Sequence, residues 1–208
     1  MSRITAVSES DATLDAQKTF ERVKEMLGAE SLPEMFLVYG RVPAFLRDFY
    51  MNFKKFVYSD GKIDAKTKSA IALAVSARDG CDPWTDFLTG RARQLGWEEG
   101  QIADILAVAA TSAMYNTFFK FRDISGSDLF GGMPVGLRAH TFANTSLEDT
   151  IVELINIAIS DLNGCKPCTS GHVDKARKLG ISDDAILETV QCAATILAGT
   201  QFLNSAGY

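Results

Sequence analysis

No run of apolar residues in this 208-residue chain approaches the roughly 20 that a membrane-spanning helix needs, so no membrane segment is expected. The N-terminal stretch, residues 1–10, lacks the apolar core of a secretory signal, and a cytoplasmic, reducing location is the expectation. Positive charge is in deficit: the formal net charge is -5, which argues against a nucleic-acid partner, because phosphate binding needs clustered Lys and Arg. Cysteines number only four, and in a reducing compartment they do not make a structural disulfide framework. Strand-like alternation of apolar and polar residues is also missing, which leaves an all-α fold as the expectation.

What is present begins with an internal repeat. Sliding the chain against itself by about 84 positions, a repeat-length shift of the kind read as duplication, places Gly80-Cys81-Asp82-Pro83 on Gly164-Cys165-Lys166-Pro167. The same offset places Ala92-Arg93-Gln94-Leu95-Gly96 on Ala176-Arg177-Lys178-Leu179-Gly180, and Ala109-Ala110-Thr111 on Ala193-Ala194-Thr195. The chain therefore reads as one domain made of N-terminal helices (1–62), a first copy (63–122), a connector (123–146) and a second copy (147–208). A hydrophobic content of 47% is enough to give such a chain a sizeable core.

Each copy is expected to hold three helices. In the second, Ser146 to Asp149 resembles a capping box and opens an apolar helix with Ile151, Val152, Leu154, Ile155, Ile157 and Ile159. Asn163-Gly164 stops it. A helix from about Cys165 to Leu179 ends at Gly180, and Ser182 caps a third with Ile186, Leu187, Val190, Ala194 and Leu197 on its apolar positions. Upstream, Asp11 to Leu27 reads as a surface helix. The spacing of Phe45, Leu46, Phe49, Tyr50, Phe53, Phe56 and Val57 reads as a core or interface face. The segment Asp123 to Thr145, rich in Gly, Ser and Asn, reads as a connector.

The two copies differ where chemistry is concerned. Glu153 falls on Ser69, Cys168 on Trp84 and His172 on Leu88, so the titratable groups belong to the second copy alone. Residues required by the fold would be expected in both. Cys165 and Cys168 stand at a helix start, where partial positive charge favours a thiolate by about 0.3–1 kcal/mol, and Pro167 suits the first turn. Lys166 adds a nearby cation. His172, four residues after Cys168, shares its helix face. A helical hairpin brings Glu153 near His172 or Cys165, and a carboxylate in so apolar a helix needs a partner. Thiols at this spacing close a disulfide with little motion, so either sulfur can resolve a sulfenic acid on the other.

The pattern of Glu153, eleven residues, Cys165-Lys166-Pro167-Cys168 and then His172, inside a duplicated helical unit, resembles the carboxymuconolactone decarboxylase superfamily in its AhpD-like alkylhydroperoxidase branch. The resemblance spans both copies. It implies that Glu153, Cys165, Cys168 and His172 are proton-relay and redox residues, with Cys168 attacking peroxide and Cys165 acting as its proton donor and resolving partner. It further implies a peroxide substrate, no bound cofactor, a homo-oligomer (trimer or hexamer) and reduction by a lipoylated or other thiol protein. One position departs: Pro167 stands where the best-known members carry an additional His, which shortens the relay.

Three other readings exist for the same residues. A decarboxylase of the muconolactone type would share the fold without depending on the thiol pair. A non-catalytic redox-sensing oligomer would use the disulfide to alter assembly. A zinc site would need more than the one CxxC knuckle present. Cys81 reads as a small helix-start residue, Cys192 as a core thiol, and His140 as a connector residue outside the site. Trp84 and Leu88 read as filling the space that the site occupies in the other copy.

Overall fold

Two helices of this molecule are buried around their whole circumference through their middle turns, and the rest of the chain is arranged on them. The computed structural model describes residues 2–208. In α4 (Ala65–Arg78) every residue from Lys68 to Ser76 is buried, and in α8 (Asp149–Leu162) every residue from Val152 to Ser160. Helices with no solvent-facing side over such a stretch belong at the centre of a domain. Each is followed by a helix that folds back on it, α5 (Asp82–Gln94) and α9 (Lys166–Lys178), and then by a long helix, α6 (Glu99–Ile124) and α10 (Asp183–Ala206). The three starts in one copy lie 84 residues from those in the other. No strand occurs among the described residues.

The turns follow from local chemistry. Gly80 and Gly164 hold φ of 65° and 64°, a left-handed conformation that strains any residue with a Cβ. After each, the cysteine N–H turns back to bond the preceding helix, Cys81 to Ser76 O and Cys165 to Ser160 O. Asp64 and Ser182 cap α4 and α10 through their side chains, each worth about 1 kcal/mol. The capping box expected at Ser146 does not form. Its N–H and hydroxyl both bond Asp104 on α6, and Glu148 precedes the first turn of α8 instead. A tertiary acceptor has captured the side chain that a local motif would have used.

The third helices cross over. α6 packs against α8 and α9 of the second copy, and α10 packs against α4 of the first. The N-terminal elements are α1 (Leu14–Leu27), α2 (Glu34–Tyr39) and α3 (Pro43–Phe53), the last running into a π-helical turn, Lys54–Tyr58. α1 starts later than Asp11, which instead accepts from Ser8 in the preceding turn, and α1 buries Phe20 and Val23 on its inner face. The aromatic stripe is core: Leu46, Phe49, Tyr50, Phe53 and Val57 are buried. The connector carries a short helix, α7 (Asp128–Gly131), and a 3-10 turn, His140–Ala143. By length and composition alone α6 and α10 would suffice to cross a membrane, which the sequence reading did not anticipate. Within the bundle more than half of the α10 apolar window is buried, and a third of that of α6.

A buried ion pair lies inside this scaffold. Lys68 is fully buried, and its ammonium donates to Glu188 Oε1 at 2.8 Å, Ser59 O at 2.8 Å and Lys55 O at 3.2 Å. The other oxygen of Glu188 accepts the Lys62 and Ile63 N–H groups. Every charge there has partners, the condition under which a buried ion pair is tolerated. The pair ties α10 to the segment that enters α4. Gly61 lies so close that a Cβ there would collide with the Glu188 carboxylate.

Candidate active site

Cys165 is the residue before the first turn of α9 and is fully buried; Cys168, in that first turn, is partly exposed. The two are joined by a disulfide, with Cα atoms 5.3 Å apart. One helical turn on, His172 reaches across to α8, where Glu153 is 1% exposed. His172 Nδ1 lies 2.7 Å from Glu153 Oε2. An ionised carboxylate only accepts hydrogen bonds, so Nδ1 carries the hydrogen and Nε2 is left to exchange a proton.

The second carboxylate oxygen is also taken. Lys175 Nζ donates to Glu153 Oε1 at 2.7 Å, a contact absent from the sequence reading. Burial, the largest influence on this carboxyl, pushes its pKa upward. Hydrogen bonds and charge from His172 and Lys175 outweigh that and hold it below its ordinary value. Lys175 was legible in principle: it lies three residues after His172 on the same face, but a lysine on an exposed helix reads as solvated.

A cavity of about 400 Å³ opens over Cys168, His172 and Lys175. Its opposite wall is α6, through Ser112, Tyr115, Asn116 and Phe119, with Phe142 of the 3-10 turn closing one side. None of these was singled out from the sequence, because nothing local tells which face of α6 meets α9. Asn116 is anchored by donating to Ser160 Oγ (2.9 Å) and accepting from Asn163 (3.0 Å), which fixes α6 against the end of α8. Ser112 is buried and its hydroxyl has no hydrogen-bond partner in the chain, a state that costs about 1–3 kcal/mol.

The remaining candidates lie elsewhere. His140 is exposed, and its carbonyl accepts from Asn144. Cys81 and Cys192 are buried free thiols, and burial pushes Cys192 up to about 12. Trp84 and Leu88 fill the corresponding space in the first copy; Trp84 donates to Tyr39 Oη, which donates to Gly199 O, under the rings of Phe36, Phe49 and Phe53. No cluster of three or more His, Cys, Asp or Glu side chains among the described residues is placed to hold a metal ion.

Residues 44–122 and 129–208 each match the profile of the Carboxymuconolactone decarboxylase family. The chain belongs to that family. Among its curated relatives is the alkyl hydroperoxide reductase AhpD of Anaeromyxobacter dehalogenans strain 2CP-1, 33% identical over 111 residues, which are 53% of this chain and 60% of the relative. This chain thus spans less than two thirds of that protein. The AhpD of Anaeromyxobacter dehalogenans strain 2CP-C is 28% identical over 179 residues, 86% of this chain and 90% of the relative. A crystal structure described as a gamma-carboxymuconolactone decarboxylase subunit of Burkholderia xenovorans LB400 superposes with a TM-score of 0.63. It covers 91% of this chain and 94% of its own, at 15% identity, a likeness of fold alone. Within the carboxymuconolactone decarboxylase family this member is AhpD-like, all-α and built on two three-helix copies behind N-terminal helices.

Proposed function

We propose that this family member is a thiol-dependent peroxidase of the alkylhydroperoxidase type. It reduces organic hydroperoxides or hydrogen peroxide by cycling between a Cys165/Cys168 dithiol and their disulfide. The observation that carries this reading is the buried Glu153 carboxylate bonded to His172, on a cavity that Cys168 also lines. The names of the curated relatives support it.

Cys168 is the attacking sulfur, since it lines the cavity while Cys165 is buried behind it. The Cys168 thiolate takes the terminal oxygen of the hydroperoxide: an S–O bond forms, the O–O bond breaks, and the alkoxide that leaves is protonated to an alcohol. The Cys165 sulfur, giving up its proton, then displaces water from the Cys168 sulfenic acid, and the disulfide forms. The dithiol has lost two electrons and the peroxide has gained them. His172, oriented by Glu153, accepts and returns the protons, a role worth about 10²–10⁴ in rate. Lys175 keeps Glu153 ionised and in place. An external dithiol, a lipoylated protein or another thiol reductant, restores the thiols.

A homo-oligomer, trimer or hexamer, in a reducing cytoplasmic setting completes the reading. The exposed Met114, Phe121 and Ile124 of α6 suit a subunit contact. A muconolactone-type decarboxylase shares the fold but has no task for the thiol pair. A sensing module would change assembly without turning over. Stopped-flow oxidation of the reduced protein by cumene hydroperoxide tests the proposal. The expected rate far exceeds that of a free thiol and vanishes in Cys168→Ser; a wild-type rate equal to that of free cysteine refutes it.

A further inference from the structure

Ser112 stands apart from the other buried helical hydroxyls among the described residues, each of which has a hydrogen-bond partner. A serine or threonine inside a helix ordinarily turns its hydroxyl back to the carbonyl four residues earlier. Thr117 does so to Ala113 O, Thr189 to Ala185 O and Thr195 to Gln191 O, at 2.8–2.9 Å. Ser112 is 1% exposed, and its Oγ makes no such bond. From α6 the residue lines the same cavity as Cys168 and His172, with its Oγ just beneath the cavity surface. The polar groups around it are already engaged: Asn116 with Ser160 and Asn163, Tyr115 Oη with Leu137 O, Lys175 with Glu153.

Comparison within the chain sharpens the point. The residue 84 positions on, in the corresponding place of α10, is Ile196, fully buried. A hydroxyl at this depth therefore occurs on the third helix that packs against α9, which carries the thiol pair, and an apolar side chain at the corresponding place of α10. A buried polar group without a partner is unfavourable for the fold, and such groups collect where a ligand supplies the missing bond.

We propose that Ser112 is a substrate-binding residue, its O–H donating to the peroxide oxygen that departs as alkoxide. This rests on the peroxidase reading above. As the Cys168 thiolate bonds the terminal oxygen and the O–O bond opens, negative charge grows on the inner oxygen. A hydroxyl fixed on the far wall meets that charge and strengthens its hydrogen bond in the transition state. The proton that finally neutralises the alkoxide comes from the His172 relay or solvent, so Ser112 is unchanged over a turnover. The organic group of the hydroperoxide is received by the aromatic side of the same cavity, Tyr115, Phe119 and Phe142. The substrate class is accordingly an alkyl or aryl hydroperoxide whose apolar group fits about 400 Å³.

The test compares wild type with Ser112→Ala, both reduced, in three measurements: oxidation by cumene hydroperoxide, alkylation by iodoacetamide, and the thermal midpoint. The variant is expected to melt at or above the wild type, since it loses an unpaired hydroxyl. Its peroxide rate constant should fall about tenfold, the worth of one hydrogen bond to a charged oxygen, while its alkylation rate holds. An unchanged peroxide rate beside an active wild type overturns the Ser112 role alone. An equal fall in both rates also overturns it, by showing that Ser112 acts on the thiolate and not on the substrate. A wild type no faster than free cysteine removes the peroxidase reading and this inference together.

Discussion

Replacing Glu153 by glutamine keeps the shape of the side chain and removes its charge, which separates packing from proton chemistry. In the native protein the carboxylate is 1% exposed and accepts two bonds of 2.7 Å, from His172 and Lys175. A hydrogen bond to a charged group is worth about 1.5–3 kcal/mol. The His172 bond, with that side chain 27% exposed, takes most of this value. The Lys175 side chain is 58% exposed, so its share is discounted towards the ~1 kcal/mol or less of a solvent-screened pair. The amide retains one acceptor, and the expected loss at pH 7 is about 2–3 kcal/mol, or roughly 5–10 °C in melting temperature for a chain of this size. The carboxyl pKa is depressed in the folded state, so its contribution is fully present above the ordinary value of 4.5 and disappears as pH falls through the lower folded value. Urea titrations of reduced wild type and Glu153→Gln from neutral to acid pH should show a gap that is widest near neutrality and closes in acid. Oxidation by cumene hydroperoxide should slow by about 10²–10⁴. A stability gap independent of pH would refute the charge argument, and an unchanged oxidation rate would remove Glu153 from the relay.

Two further outcomes follow from the geometry. Cys165→Ser should stop after the first chemical step, with a sulfenic acid on Cys168 that dimedone captures, with loss of water, as a thioether detectable by mass spectrometry; Cys168→Ser should give no such adduct, and the reverse pattern would exchange their roles. Lys68→Met strands the Glu188 carboxylate in the core with only the Lys62 and Ile63 N–H groups to meet it. The expected destabilisation in urea is about 3–5 kcal/mol, and a loss below about 1 kcal/mol would show that the carboxylate escapes to water.

The features legible in the sequence are those that short-range physics controls. Helix periodicity, the glycines at 80 and 164 and the serine cap at 182 act within one or two turns, so the helices of both copies were readable. The spacing of Cys165, Cys168 and His172 is likewise a property of one helix, and an unpaired Glu153 in so apolar a segment called for a partner. The capping motif at Ser146 shows the limit of local reasoning, because Asp104, 42 residues earlier, competes for the same hydroxyl. Tertiary structure alone decided that the third helix of each copy crosses to the other. That crossing puts Ser112, Tyr115 and Asn116 at the cavity of the thiols, where Phe142 of the connector joins them, and the packing of α9 on α8 turns a surface lysine into a partner of Glu153. Which face of an apolar helix meets which neighbour depends on how all the side chains pack together, and no window of the sequence contains that sum.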